Sequence, residues 1–242
     1  MKGVLKGIGI TILVIVILLV LAAGYFGLMP GVSKIFGADQ PRNLGVTFTE
    51  GDRMQGRAKA GWELVELPTG LPPQDSLRYS GQHEVKATFT EKELTAWINK
   101  SWNYIPLTDC QIRVNQDNTV EVSGILHTDR LQSYAEAMGA AEEYNESFVK
   151  YTKYLRGNTP VYLKVSGGVA DNSVTSARIY ELQIGRFTVP SSLIEQNMNL
   201  VVELAEWQIQ KIPGLYIKSL AFESGTAKFD GTLPATILRT LS

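Results

Sequence analysis

The chain of 242 residues has one cysteine, two histidines and no surplus of either charge, with 23 Lys and Arg against 24 Asp and Glu. Each shortage closes a class of function. A lone cysteine forms no internal disulfide. The place of Cys110 in the alternating run Cys110, Ile112, Val114 reads as a small buried apolar side chain, with a disulfide to a second chain as the alternative. Balanced charge lacks the basic excess with which a nucleic-acid binder neutralises phosphates, so no nucleic-acid partner is expected. His83 and His127 stand alone, without motif spacing to a nucleophile. His-Glu-x-x-His, Gly-x-Ser-x-Gly, a phosphate-loop pattern and a His/Cys cluster at metal spacing are all missing. The chain reads as no enzyme, with no catalytic residues, no cofactor and no metal. Glu142 and Glu146 lie one helical turn apart but read as a solvated pair, because hard cations want more oxygen ligands than two carboxylates.

Charge is missing altogether between Lys6 and Lys34, across GIGITILVIVILLVLAAGYFGLMPGVS. About twenty apolar residues suffice to span a bilayer as a helix. The run is longer than a signal-peptide core, and Leu21-Ala22-Ala23, the nearest small-residue site, falls inside it, so a retained anchor is favoured over a cleaved signal. Lys2 and Lys6 favour a cytoplasmic N-terminus. The expected layout is a cytoplasmic tail over 1–6, a transmembrane anchor over 7–29, a turn-rich tether over 30–44 and an extracytoplasmic domain over 45–242. The protein would then sit in the cell membrane as a single-pass chain with its body outside.

The tetrapeptide TFTE occurs twice, at Thr47–Glu50 and Thr88–Glu91. In each, a Thr is followed three residues later by an acid, Thr49 by Asp52 and Thr90 by Glu93. That is capping-box spacing, in which the hydroxyl accepts from a first-turn N–H and the carboxylate reaches back to the N–H of the cap residue. Ahead of the second copy, Val85, Ala87 and Phe89 share one face of an alternating run. The repeat therefore reads as a strand-to-helix junction and not as repeated chemistry.

The body alternates short strands and helices. WELVEL and Gln82 to Phe89 read as strands, EKELTAWINKSW as a helix, and three hairpins are expected at NQDNT, ADNS and Glu223-Ser224-Gly225. A helix from Asp129 to Leu155, with a break near Gly139, carries an apolar stripe. A second helix from Pro190 to Ile212 is expected to face inward through Ile194, Met198, Val201, Leu204 or Ala205, and Gln208. The fold class expected is α+β: an N-terminal transmembrane helix, then one antiparallel-sheet domain with helices packed on it.

The segments ATFTEKELTAWIN, ELQIGRFTVPSSLIEQ and IPGLYIKSLAFESGTAKFDG, in this order, resemble the bacterial YpmS-like family and, more distantly, LmeA-like exported proteins. The resemblance spans about Leu77 to Leu233 and contains no catalytic signature. It implies a long curved antiparallel sheet with helices against it, of a kind that holds lipid acyl chains.

Aromatics supply the candidate site. Trp97 and Trp102 cluster after the second TFTE, and Tyr134, Met138, Tyr144, Phe148 and Tyr151 follow at helical steps. Core packing explains such a stripe, yet leucine would fill a plain core without hydroxyls that each need a partner. These seven residues are the candidate lining for an apolar ligand. The expected function is that of a membrane-anchored binding or scaffold protein, for lipid or another long apolar molecule. The alternative is an envelope assembly protein holding a protein partner, with a hydrolase a distant third.

Overall fold

The computed structural model describes residues 17–18, 21, 32–35, 38–99, 102–139 and 157–240. Beyond a helical turn at Val32–Ile35, helices α1 (Glu50–Ala60), α2 (Glu91–Asn99), α3 (Leu131–Ala137), α4 (Ser191–Gln196) and α5 (Met198–Lys211) alternate with eleven strands. The strands are β1 (Glu63–Leu67), β2 (Leu77–Ser80), β3 (His83–Thr90), β4 (Leu107–Val114), β5 (Thr119–His127), β6 (Asn158–Ala170), β7 (Ser173–Ile184), β8 (Phe187–Thr188), β9 (Tyr216–Glu223), β10 (Thr226–Leu233) and β11 (Thr236–Thr240). The larger sheet runs β3-β10-β9-β6-β5-β4, with β7 and β8 branching from β6, and all its pairings are antiparallel. The smaller sheet runs β1-β11-β2.

The expectation of an N-terminal transmembrane helix followed by one antiparallel-sheet domain is overturned. Among the described residues no helix is long and apolar enough to cross a membrane. The longest of these helices, α5, has 14 residues, short of the roughly twenty that a bilayer core requires. The span expected over 7–29 lies outside the described residues except at positions 17, 18 and 21. There are also two sheets, because after Pro234 the chain does not extend the β9–β10 hairpin but lays β11 parallel to β1, from Glu63↔Thr236 to Leu67↔Thr240. What the molecule retains of the expected class is α+β with a mostly antiparallel sheet.

Both TFTE copies form capping boxes. In the first, the Asp52 N–H donates to Thr49 Oγ1 at 3.2 Å while the Thr49 N–H donates to Asp52 Oδ2 at 2.7 Å. The hydroxyl and backbone bonds from Thr49 hold the Asp52 carboxyl below its usual range. The second box is built alike: the Thr90 N–H donates to Glu93 Oε2 at 2.8 Å and the Glu93 N–H to Thr90 Oγ1 at 3.3 Å. Only the second copy ends a strand; the residues before Thr49 are irregular.

The two junctions are joined through Glu93, which is 2% exposed. Lys59, in the last turn of α1, donates to its carboxylate at 2.8 Å and to the Thr88 carbonyl at 2.9 Å. Gly56 lies against the same side chain, where a Cβ would come within 3.2 Å of Glu93 Cβ, and Arg53 Nε donates to the Ala96 carbonyl at 3.1 Å. The helices that follow the two repeats therefore pack on each other.

Helix α2 also closes an edge. The Val114 N–H donates to Glu91 Oε2 (3.3 Å), the Ile112 N–H to Thr95 Oγ1 (2.9 Å) and the Cys110 N–H to Asn99 Oδ1 (2.7 Å). Thr95 Oγ1 and Asn99 Nδ2 return donations to the Ile112 and Cys110 carbonyls. Four helical residues rise about 6 Å, and two strand residues advance about 6.6 to 6.8 Å, so side chains at i, i+4 and i+8 meet every second residue of β4. The strand that ends the larger sheet is thus covered by side chains of a helix. Cys110 is buried there, and its thiol is pushed up to about 12, first by burial and then by Asp109.

The main core joins the larger sheet to the smaller through Val85, Phe89, Ile217, Ala227, Phe229 and Leu233, with Ala60 and Trp62. The β6–β7 hairpin turns at Asp171 and Asn172 (φ 49° and 63°), and β9–β10 at Ser224 and Gly225 (φ 51° and 79°), the mirror-type conformations that suit tight hairpins. At the end of the expected tether, Leu44 and Val46 pack on Tyr162, and their N–H groups donate to Gln111 Oε1. The helical region expected from Pro190 is broken at Asn197. Val201, Leu204 and Ala205 face solvent, while Met198, Val202, Glu206, Gln208 and Ile209 are half-buried; Glu206 accepts from the Val174 N–H at 2.8 Å.

The buried acid separates two roles that share one cap. Thr90→Ala removes a side-chain acceptor and should lower stability by about 0.5 to 2 kcal/mol. Glu93→Ala removes the acceptor of both Lys59 and the Thr90 N–H and should cost about 1.5 to 3 kcal/mol. Urea unfolding of both variants checks this, and equal losses would show that the ion pair adds nothing to the cap.

Candidate functional site

Alternation along the smaller sheet sets Leu64 and Glu66 of β1, Ile237 and Arg239 of β11, and Leu77 and Tyr79 of β2 on one face. Register then makes two cross-strand rows, Leu64–Ile237–Tyr79 and Glu66–Arg239–Leu77. Over this face lie Trp97 from α2, Trp102 and Ile105 from the loop after it, Tyr134 and Met138 from α3, and Gln208 and Ile212 from the end of α5. With Trp62, Leu215, Leu233 and Pro234 they line a mostly apolar, partly open cavity of about 330 Å³.

The rings are held in fixed places. Trp102, 5% exposed, donates from Nε1 to Ser76 Oγ at 3.0 Å and meets Tyr104 edge-on at 5.5 Å and Tyr134 at 6.0 Å. Ser76 is itself fixed, donating to the Pro73 carbonyl, and Tyr104 Oη donates to the Leu71 carbonyl. On the other side Trp97 packs between Trp62 and Phe89, at 5.9 and 6.1 Å between ring centres. Tyr134 and Gln208 face the same cavity, from α3 and the end of α5. Burial raises the Tyr134 phenol, and Gln208 works against that rise. Burial also pushes Tyr79 up to about 12, with Tyr134 adding and Arg239 opposing. Both phenols are held above their ordinary range, and both side chains line the cavity.

Two further recesses share walls with this cavity. One, of about 220 Å³, is lined by Glu50, Arg53, Arg57, Leu64 and Glu66 and shares Trp62, Trp97 and Arg239 with it. The other, about 340 Å³ and more polar, shares Trp102 and Ile105 and reaches Asn99, Thr108 and Arg130. Thr108 Oγ1 lies 2.7 Å from His127 Nε2. A hydroxyl beside an imidazole is half of a nucleophilic site, but among the described residues no carboxylate orients the ring, and the pair spans neighbouring strands as a cross-strand hydrogen bond. His83 Nε2 bonds to the Ala60 carbonyl at 2.9 Å, as a structural donor.

Of the seven candidate lining residues, Trp97, Trp102, Tyr134 and Met138 are brought to one cavity. Tyr144, Phe148 and Tyr151 lie outside the described residues, as do Glu142 and Glu146. Helix α3 ends at Ala137, before Gly139 at φ 70°. Sequence reasoning missed Trp62, Tyr79, Ile237 and Arg239. The alternation of Ile237 and Arg239 in TILRT was a usable strand signal, but nothing local showed that this strand would pair with β1 and β2.

Compared with family models, with curated proteins and with solved structures, the chain matches none.

Proposed function

We propose that the folded body is a non-catalytic binding module for a long apolar or amphiphilic molecule, lipids included. The observation that carries this reading is the cavity itself. Five aromatic side chains, Trp62, Tyr79, Trp97, Trp102 and Tyr134, line a partly open apolar concavity. Ligand pockets run to about 300–1,000 Å³ with apolar walls and a few polar groups. The cavity falls at the lower end of that range. Its polar side chains besides the indoles, Tyr79, Tyr134, Gln208 and Arg239, are few.

A second reading is favoured by a separate feature. Leu193, Val201 and Leu204 on α4 and α5 are 49%, 43% and 40% exposed, and an exposed apolar row of this kind suits a protein partner, such as another envelope component.

Ligand linkage tests the first reading. The full chain, stripped of bound amphiphiles, should gain about 2.7 kcal/mol of stability when a long-chain amphiphile is added at a hundred times its dissociation constant. Thermal unfolding and native mass spectrometry read this out; an unmoved melting temperature with no bound mass would overturn the reading. Filling the cavity should mimic the ligand. Ile212→Trp is expected to leave the stripped protein as stable as wild type while removing most of the ligand-induced rise in melting temperature. A full rise in that variant would place the ligand elsewhere.

A further inference from the structure

We propose that the ligand is a single-chain amphiphile with an anionic head, its tail in the apolar cavity and its carboxylate or phosphate in the adjoining recess against Arg57 and Arg239. This rests on the apolar-ligand reading above and names the chemistry of the other end of the molecule.

The two spaces share Trp62, Trp97 and Arg239, so a molecule leaving the apolar cavity along that wall meets the recess at once. Arg53 and Arg57 are one turn apart on α1, and Arg239 comes from the middle strand of the smaller sheet. Two acids share the recess, Glu50 and Glu66. Glu50 is already ion-paired to Arg53, whose Nε is also committed to the Ala96 carbonyl. Three guanidinium groups thus line the recess with two carboxylates, a local excess of one positive charge.

The recess offers donors as well as charge. Arg57 lies over the Trp62 ring, 5.3 Å from its centre, which fixes the guanidinium without using its N–H groups. Trp62 is 8% exposed, and its indole Nε1–H has no hydrogen-bond partner among the described residues. A buried N–H without an acceptor is costly, and the side chain that carries it lines both spaces. Arg239 is pushed down by burial, with Tyr79 opposing and then Arg57 and Arg53 adding to the fall, which places the three cations close enough to repel. An anion between them would relieve that repulsion and accept from planar guanidinium forks, a geometry that suits carboxylate and phosphate alike. The size of the cavity favours one chain over two.

Head and tail are tested apart by tryptophan-quenching titrations of the stripped full chain with hexadecanoate, 16:0 lysophosphatidate and hexadecanol. At least one of the two anions should bind about tenfold or more tightly than the alcohol, the worth of a charge-assisted hydrogen bond. A preference for the carboxylate or for the phosphate then identifies the head. Arg57→Gln, at an exposed position, should narrow the ratio of anion to alcohol, and Arg239→Lys should do so less because it keeps the charge. Equal affinity for the alcohol and both anions would overturn the anionic head while leaving the apolar-ligand reading intact. Binding of none of the three would overturn both.

Discussion

The carboxylate of Glu93 holds the two halves of this domain in one frame. It completes the cap of its own helix, accepts from Lys59 at the end of the other capped helix, and lies where Gly56 leaves room for it. A buried charge is tolerated only when paired and hydrogen-bonded, and each of those partners comes from one of the two TFTE-led segments. Because α1 and α2 are fixed against each other there, Trp62, just after α1, and Trp97, one turn beyond Glu93, come together as one wall of the cavity. Arg53 and Arg57 share the helix that carries Lys59. Both the apolar space and its arginine-lined neighbour thus depend on a contact that looks, in sequence, like simple helix punctuation.

Local signals in the chain were strong where the physics is local. Caps at Thr49 and Thr90, the Asp-Asn and Ser-Gly turns and the period-two run through Phe89 each depend on residues within a few positions of one another. The smaller sheet depends on none of these. Its central strand pairs in parallel with residues more than 160 positions earlier, and no turn residue announces a parallel partner. The inward face expected for α5 holds at Met198 and Gln208 but not at Val201, Leu204 and Ala205, for a related reason. Its leucine and valine spacing allows two stripes, and only packing on β7 selects the one through Val202, Glu206 and Ile209. Three aromatic residues and Met138, proposed for the site, share one cavity, since an apolar stripe marks an inward surface whatever lies behind it. The other wall, Tyr79 with Ile237 and Arg239, is a product of long-range register.

The cavity reconciles two demands that usually conflict. Aromatic rings are rigid and carry large contact areas, so they can stand around a volume without collapsing into it when their edges are anchored by hydrogen bonds. Here Trp102 is tied to Ser76, and Tyr104, packed against it, to the Leu71 carbonyl. An aliphatic wall of the same size would have nothing to hold it open and would repack at little cost.

The ladder between α2 and β4 works as a measuring rule. Glu91, Thr95 and Asn99 read the strand at Val114, Ile112 and Cys110, and the match holds only while both segments keep their length. One residue inserted between the contact points of either segment would break the match for every pair on one side of the insertion. Length variation in this domain should therefore avoid the two graduated segments, whatever residues occupy their outward faces.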